Sequence, residues 1–352
     1  MKKIKVGIIG ANGYTGYELL KILAGHDGVE VAHAVSRSNA GASVGALYPA
    51  LAAAYPCLKF SDADTDKAAK DCTLVFTALP HAAAAETGGK LYDKGVTVID
   101  LSADFRYDDI PLYERTYNVT HPRPKLNAKA VYGLTEINRA QITALKGTPA
   151  IIGNPGCYTT SCILPLYPLL KAGLLEPHGI VIDAKSGASG AGRRAEADFG
   201  FCEIEGNFKA YGVAVHRHTS EMEEKLSLGQ KDFKLCFVPH LLPVKRGILS
   251  TVYTDVKPKV SADSIADCLT AAYGKEKFVE VLPEGSYPTL NRVTGSNVCS
   301  IGFKFDARTG KVIIISCLDN LIKGASGQAV QNMNILLGFD ESKGLSVTGN
   351  HL

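Results

Sequence analysis

The chain has 352 residues, 46% hydrophobic and 21% charged, which excludes an intrinsically disordered protein and, at about 150 residues per domain, predicts two folded domains. Lys and Arg number 38 against 35 Asp and Glu, a net charge of +3 without a run of five like charges, so neither nucleic acid nor an anionic membrane is an expected partner. The nine cysteines include no Cys-x-x-Cys pair, which argues against a disulfide framework or a zinc site and for reduced thiols in a cytoplasmic protein; no metal is expected. The start, Met1-Lys2-Lys3-Ile4, runs straight into a β-like segment whose apolar stretch is too short for a signal peptide or a membrane span.

In chain order, the first half alternates short apolar runs with helical segments: Ile4 to Ile9, Val29 to Val35, Leu74 to Ala78, Val96 to Asp100 and Ile151-Ile152. This βαβ alternation predicts a Rossmann-type parallel sheet covered by helices. Between the first strand and the helical run Tyr17 to Leu23 lies Gly10-Ala11-Asn12-Gly13-Tyr14-Thr15-Gly16, a G-x-x-G-x-x-G variant of the dinucleotide fingerprint. Glycines permit the tight turn and close backbone approach, and the N–H groups of the helix start favour a pyrophosphate. Gly10, Asn12, Gly13, Tyr14, Thr15 and Gly16 are therefore candidate cofactor residues. After the second strand, Ser36-Arg37-Ser38 stands where an acidic residue would receive the ribose 2′-hydroxyl of NAD. An arginine flanked by hydroxyls suits a 2′-phosphate, so the expected cofactor is NADP.

Ile151-Ile152 leads into Gly153-Asn154-Pro155-Gly156-Cys157-Tyr158-Thr159-Thr160. A cysteine delivered by such a turn at a helix start sits among unpaired N–H groups, which lower its pKa and supply an oxyanion site. Cys157 is the expected nucleophile, and Cys162 a core residue. Pro165 and Pro168 are expected to kink or shorten the helix that follows.

From about Gly179 the texture becomes strand-rich, with runs at Ile180 to Ala184, Leu235 to Val238, Ile248 to Asp255, Val298 to Phe305 and Val312 to Leu318. A second, α+β catalytic domain with a mixed or antiparallel sheet is expected. The first of these strands leads into Ser186-Gly187-Ala188-Ser189-Gly190-Ala191-Gly192-Arg193-Arg194, whose hydroxyls and arginines suit an anion cradle. Ser186 and Gly187 are candidates for the cofactor; Asn154, Ser189, Arg193 and Arg246 are candidates for the substrate.

His216-Arg217-His218-Thr219-Ser220, read as extended, turns two imidazoles to one face, where they divide proton transfer and substrate binding. A helix is expected from Glu221, with Ser220 and Glu223 at capping-box spacing. His240, in Val238-Pro239-His240-Leu241, is the rival base. Asn320 lies between the last strand and a C-terminal helix, placed for the nicotinamide amide. That helix, Ala325 to Leu337 with Gly338 at C′, is expected to pack on the first domain. The expected domains are 1–152 completed by 325–352, and 153–324.

A nucleotide loop with an activated thiol narrows the chemistry to oxidation or reduction of a carbon held as a thioester. The blocks around Gly10, Cys157, Ser186, His216 and His240 together resemble the N-acetyl-γ-glutamyl-phosphate reductases, relatives of the aspartate-semialdehyde dehydrogenases. The cysteine block and the His-Arg-His-Thr run are the specific part, since the dehydrogenases usually have a different first loop and lack that run. The resemblance implies NADPH-dependent reduction of N-acetyl-glutamyl phosphate through a Cys157 thioester, in arginine biosynthesis. It implies His218 as acid/base with His216 as helper, and a homo-oligomer, dimer or tetramer. Aspartate-semialdehyde dehydrogenase, a longer-chain aminoadipyl-phosphate reductase and a non-catalytic NADP-binding sensor remain the alternatives.

Overall fold

The computed structural model describes residues 2–62, 64–193 and 197–350; Arg194 of the expected anion cradle lies outside them. The chain divides into two compact units, Met1–Pro155 with Ala325–Leu345, and Gly156–Gly324 with Ser346–Leu352. The final residues thus differ from the expectation that all of 325–352 completes the first domain. Asn297 N–H donates to Ser346 O at 2.8 Å, and Asn350 N–H donates to Thr294 O at 2.6 Å. Gly349 permits this close approach, because a Cβ there would lie 2.3 Å from Arg292 O.

The first unit is built on seven parallel strands in the order β3-β2-β1-β4-β5-β7-β6. They are β1 (Ile4–Ile9), β2 (Val29–Val35), β3 (Phe60–Ser61), β4 (Leu74–Thr77), β5 (Thr97–Asp100), β6 (Val131–Tyr132) and β7 (Ile151–Gly153). The two-residue β3 and β6 are too short to leave a hydrophobic run in the sequence. β4 and β5 are buried along their whole length, as strands covered on both faces must be. Helix α1 (Tyr14–Ala24) packs Leu19, Leu20 and Leu23 into one core with Val6, Ile8 and Phe76. The C-terminal helix, Gly327–Leu337, adds Ala329, Val330, Met333 and Leu336 to the same core and ends at Gly338, whose φ of 77° no side chain adopts readily. Helix α2 (Ala83–Asp93) has no capping side chain of its own. The buried Asp104 carboxylate accepts instead from Ala82 N–H at 3.0 Å, Ala85 N–H at 2.8 Å and the Tyr113 hydroxyl at 2.7 Å.

The second unit holds a mixed seven-stranded sheet in the order β12-β13-β14-β11-β8-β10-β9. Its strands are β8 (Ile180–Gly187), β9 (Lys209–Ala210), β10 (Leu235–Leu242), β11 (Ile248–Asp255), β12 (Val279–Val281), β13 (Cys299–Asp306) and β14 (Lys311–Leu318). Helices α3 (Cys157–Lys171), α4 (His218–Leu226) and α5 (Ala262–Tyr273) form its helical layer. Ile180, Ile182, Ile248, Val252, Val312 and Ile314 are buried, whereas Val181 and Tyr253 on the alternate side stay 39% and 38% exposed. Period-two alternation therefore leaves one sheet face open.

Helix α3 runs for 15 residues through Pro165 and Pro168, so neither proline cuts it short as the sequence led one to expect. Pro168 lacks the N–H that would bond Leu164 O, an orphaned carbonyl that ordinarily costs a helix stability. Here the Tyr273 hydroxyl of α5 donates to Leu164 O at 2.5 Å, so a tertiary partner replaces the missing helical bond. The helix that aims Cys157 is thereby kept continuous.

Candidate active site

In the first unit, the loop after β1 is shaped by its glycines. Gly10 has a φ of 91°, and a Cβ on it would lie 2.2 Å from Ala78 O at the end of β4; one on Gly16 would lie 2.5 Å from Gly10 O. These two make the turn and the close packing of α1. Gly13 is different: a Cβ there would meet only Gly10 O, at 3.7 Å, and Gly13 is the N-cap of α1 without a side-chain cap. The α1 amides at Tyr14, Thr15 and Gly16 thus lack a protein acceptor from within their own helix, as an anion site at a helix start requires. Asn12 reaches the second-strand loop, donating from Nδ2 to Ser38 Oγ at 3.2 Å, while its carbonyl accepts from the Tyr48 hydroxyl at 2.8 Å. Ser36 and Ser38 are tied together by Asn39, and Arg37 projects into solvent. Helix start and basic loop could hold a dinucleotide, the amides at the start of α1 offering donors to an anion and the exposed Arg37 a positive charge.

The Gly-Asn-Pro segment that precedes the thiol is held by amide side chains. Asn154, expected at the substrate, is buried; its Nδ2 donates to Ala325 O at 3.0 Å and its Oδ1 accepts from Asn332 Nδ2 at 3.3 Å. Its position reads as bracing the loop. Arg106, which the sequence reading passed over, is also buried and donates from Nε to Asn154 O at 2.6 Å.

In the second unit, Gly156 is the N-cap of α3 and Cys157 its first residue. Cys157 is partly exposed. Cys162, one turn on, is fully buried beside Ser161 and Ser250, and burial pushes its thiol up to about 11. Only the first of the two combines access with the N–H groups of a helix start, which stabilise a thiolate. The His-Arg-His run is a turn and not an extended segment, because α4 begins at His218 with Arg217 as N-cap in helical geometry. The Ser220–Glu223 box does not form; Ser220 Oγ donates to Arg217 O. The turn still unites the imidazoles: His218 N–H donates to His216 Nδ1 at 3.2 Å, and the ring centroids are 4.9 Å apart.

His218 lies against the start of α3. A Cβ on Gly156 would sit 2.6 Å from His218 Nε2, so only glycine leaves room for the imidazole beside the residue that precedes Cys157. Gly324 makes similar room, since its Cβ would lie 2.7 Å from that of Cys157. His216 is packed among Tyr158, Tyr211 and Phe237, and burial, then the Arg217 charge, pushes its pKa down to about 4. It is neutral near pH 7. A cleft of about 320 Å³ adjoins it, lined by Ser186, Gly187, Lys209, Tyr211, His216 and Arg217 among others.

The remaining sequence candidates divide sharply. Ser186 and Gly187 line the cleft, and Ser189 Oγ accepts from Asn320 Nδ2 at 2.9 Å. Asn320, expected at the nicotinamide amide, also accepts Gly247 N–H at 2.7 Å, so both ends of its amide hold protein. Arg246, expected at the substrate, donates to the buried Asp319 carboxylate at 3.0 Å, which answers its charge internally. Arg193 is exposed. His240 sits on β10 with its Nδ1 3.1 Å from Asp183 Oδ1 and its ring against Phe208. Lys209, Tyr211 and Glu221 were missed: the first two lie in an unpatterned stretch, and Glu221 is one helical turn beyond His218.

The family described as "Semialdehyde dehydrogenase, NAD binding domain" matches residues 5–145, and "Semialdehyde dehydrogenase, dimerisation domain" matches residues 157–320. An N-acetyl-gamma-glutamyl-phosphate reductase of Caldicellulosiruptor saccharolyticus is 47% identical over 349 residues, 99% of either chain. One from Geobacter sulfurreducens is 48% identical over 344 residues, 97% of this chain and 98% of its own. The fold is shared with aspartate semialdehyde dehydrogenase II of Vibrio cholerae complexed with ASA, at TM-score 0.72 and 19% identity over 96% of this chain and 99% of that one. It is shared also with the Candida albicans aspartate semialdehyde dehydrogenase solved with NADP, at 0.67 and 16% over 95% and 98%. With near-complete coverage at this identity, the chain belongs to the N-acetyl-gamma-glutamyl-phosphate reductase family.

Proposed function

We propose that this chain catalyses the NADPH-dependent reduction of N-acetyl-L-glutamyl 5-phosphate to N-acetyl-L-glutamate 5-semialdehyde, a step of arginine biosynthesis. The observation that carries the reading is Cys157 at the start of α3 with the His218 imidazole beside Gly156. His218 accepts the thiol proton as Cys157 attacks the acyl phosphate, and the first-turn N–H groups of α3 stabilise the oxyanion until phosphate departs. NADPH, when bound, supplies the hydride that reduces the resulting thioester. His218 gives its proton to the oxyanion so formed, then takes the hydroxyl proton back as the C–S bond breaks and the aldehyde leaves. Neutral His216 orients the substrate as a hydrogen-bonding group. With Arg246 engaged by Asp319, the substrate carboxylate falls to Lys209 and Arg217 at the cleft.

The reverse reaction gives the direct test. Protein, NADP and N-acetyl-glutamate semialdehyde should form NADPH only when inorganic phosphate is added, and at least about tenfold more slowly with aspartate semialdehyde or the one-carbon-longer homologue. Phosphate-independent turnover, or a preference for another aldehyde, overturns the assignment. Arg37→Ala should raise KM for NADPH on the order of tenfold or more with little change for NADH, since a charge-assisted contact contributes more than a neutral one. Equal weakening for both cofactors would make Arg37 a structural residue.

The chain acts as a homo-oligomer, dimer or tetramer, through the open face of the second sheet. Val181 and Tyr253 are exposed there, and Leu249, Ile313 and Ile315 are half-buried, an apolar surface on the unit that matches a dimerisation domain. Sedimentation should give at least twice the chain mass, and Ile315→Asp should return it to the monomer. A monomeric wild type overturns this. The nine free thiols suit a reducing cytoplasm, and no helix among the described residues is long and apolar enough to cross a membrane.

A further inference from the structure

We propose that Glu221 is a positioning residue for Cys157, an inference that rests on the reading of Cys157 as the nucleophile. Glu221 is wholly buried, although an ionisable group so placed needs partners to offset its desolvation. Its Oε1 accepts from Gly156 N–H at 3.1 Å and from Thr159 Oγ1 at 2.9 Å. Gly156 is the N-cap of α3 and Thr159 its third residue. In an ordinary capping box the third residue itself is Glu or Gln and reaches back to the N-cap N–H. Threonine is too short for that reach. A carboxylate from α4 supplies the missing acceptor; the single Thr159 hydroxyl proton lies within reach of both Glu221 Oε1 at 2.9 Å and Gly156 O at 2.6 Å and is shared between them.

Glu221 stands three residues after His218 on α4, and such residues share a helix face. The element that brings the imidazole to Gly156 thus also brings the carboxylate that holds Gly156. Nucleophile, base and oxyanion N–H groups are fixed relative to one another by this cross-link between α3 and α4. Cys157 and Tyr158 on α3, Tyr211, and His216, Arg217 and His218 before and on α4 are titratable or charged groups that face the arrangement. A displaced nucleophile loses rate without losing the cofactor, because misplacement by about 1 Å costs on the order of 10²-fold.

The test compares Glu221→Ala, Glu221→Gln and Thr159→Val by kcat, by KM for NADPH, and by the rate of Cys157 alkylation with iodoacetamide read by peptide mass. Glu221→Ala should lower kcat on the order of 10²-fold with KM for NADPH within about twofold, and slow alkylation. Glu221→Gln keeps an oxygen acceptor for both donors and should restore kcat to within about fivefold of wild type, while Thr159→Val should lose less than Glu221→Ala. A folded Glu221→Ala protein with wild-type kcat, or a Glu221→Gln protein as slow as Glu221→Ala, overturns the proposal. Should Glu221→Ala fail to fold, Glu221→Gln decides: a folded glutamine variant slower than wild type by much more than about fivefold overturns it. Full turnover by Cys157→Ala would instead overthrow the nucleophile itself, whatever the Glu221 variants do.

Discussion

Cys157→Ser is expected to lose turnover by on the order of 10⁴-fold or more while leaving NADPH affinity within about twofold, measured by steady-state kinetics and cofactor titration. The serine hydroxyl fills the same place at the start of α3 but is far less nucleophilic near neutral pH than a thiolate stabilised by helix N–H groups. The same property should show in the resting protein. Iodoacetamide near pH 7 should alkylate Cys157 well before Cys162, because Cys162 is buried and its thiol is held at about 11. Cys72 is likewise buried with its thiol raised to about 12. Equal labelling of Cys157 and Cys162, or a Cys157→Ser protein with substantial activity, would remove the thioester from the mechanism.

His218→Asn should depress kcat by about 10²- to 10⁴-fold, the usual contribution of a positioned acid/base, and should flatten one limb of the pH–rate profile. His216→Asn should act chiefly on KM for the acyl substrate. The structure separates the two: His218 lies against Gly156, whereas burial among aromatic rings holds His216 neutral down to about pH 4. A limb near neutral pH is then expected from a group other than His216. Its folded pKa is depressed below the unfolded 6.5, so its contribution to stability is fully present above pH 6.5 and is lost as pH falls toward about 4. The thermal midpoint of wild type should therefore drop more steeply across that interval than that of His216→Asn. The opposite kinetic pattern would exchange the roles. If only His240→Asn abolished turnover, the base would belong to β10, where His240 now faces Asp183.

The positions of the two catalytic candidates were legible for different reasons. Cys157 announced itself through local chemistry, a glycine turn before a helix, which needs no distant partner to be recognised. The histidine pair was legible as a pair, but its geometry was misread: an extended segment puts residues two apart on one face, yet the protein brings the rings together by a turn into α4. Glu221 left only the signal of an acidic residue one turn beyond His218, ordinary on a helix surface. Its burial against Gly156 exists only once α3 and α4 pack.

By itself the sequence determined the elements that carry their own short-range signature: the strand–glycine loop–helix unit at Gly10 to Gly16, the longer buried strands of the first sheet, the thiol at a helix start and the C-terminal helix ending at Gly338. These are set by steric freedom at glycine, by hydrophobic periodicity and by the unpaired amides of a helix terminus, all properties of a few neighbouring residues. The tertiary structure decided which polar groups are also bonded within the protein. Asn154, Asn320 and Arg246 looked available in one dimension, yet each is taken by partners distant in the chain, such as Ala325 for Asn154 and Asp319 for Arg246. It also rescued the proline-bearing helix α3 through Tyr273 and capped α2 through Asp104. Long-range satisfaction of a buried donor or acceptor depends on packing that no local pattern encodes, so only the fold could show which of these groups hold one another.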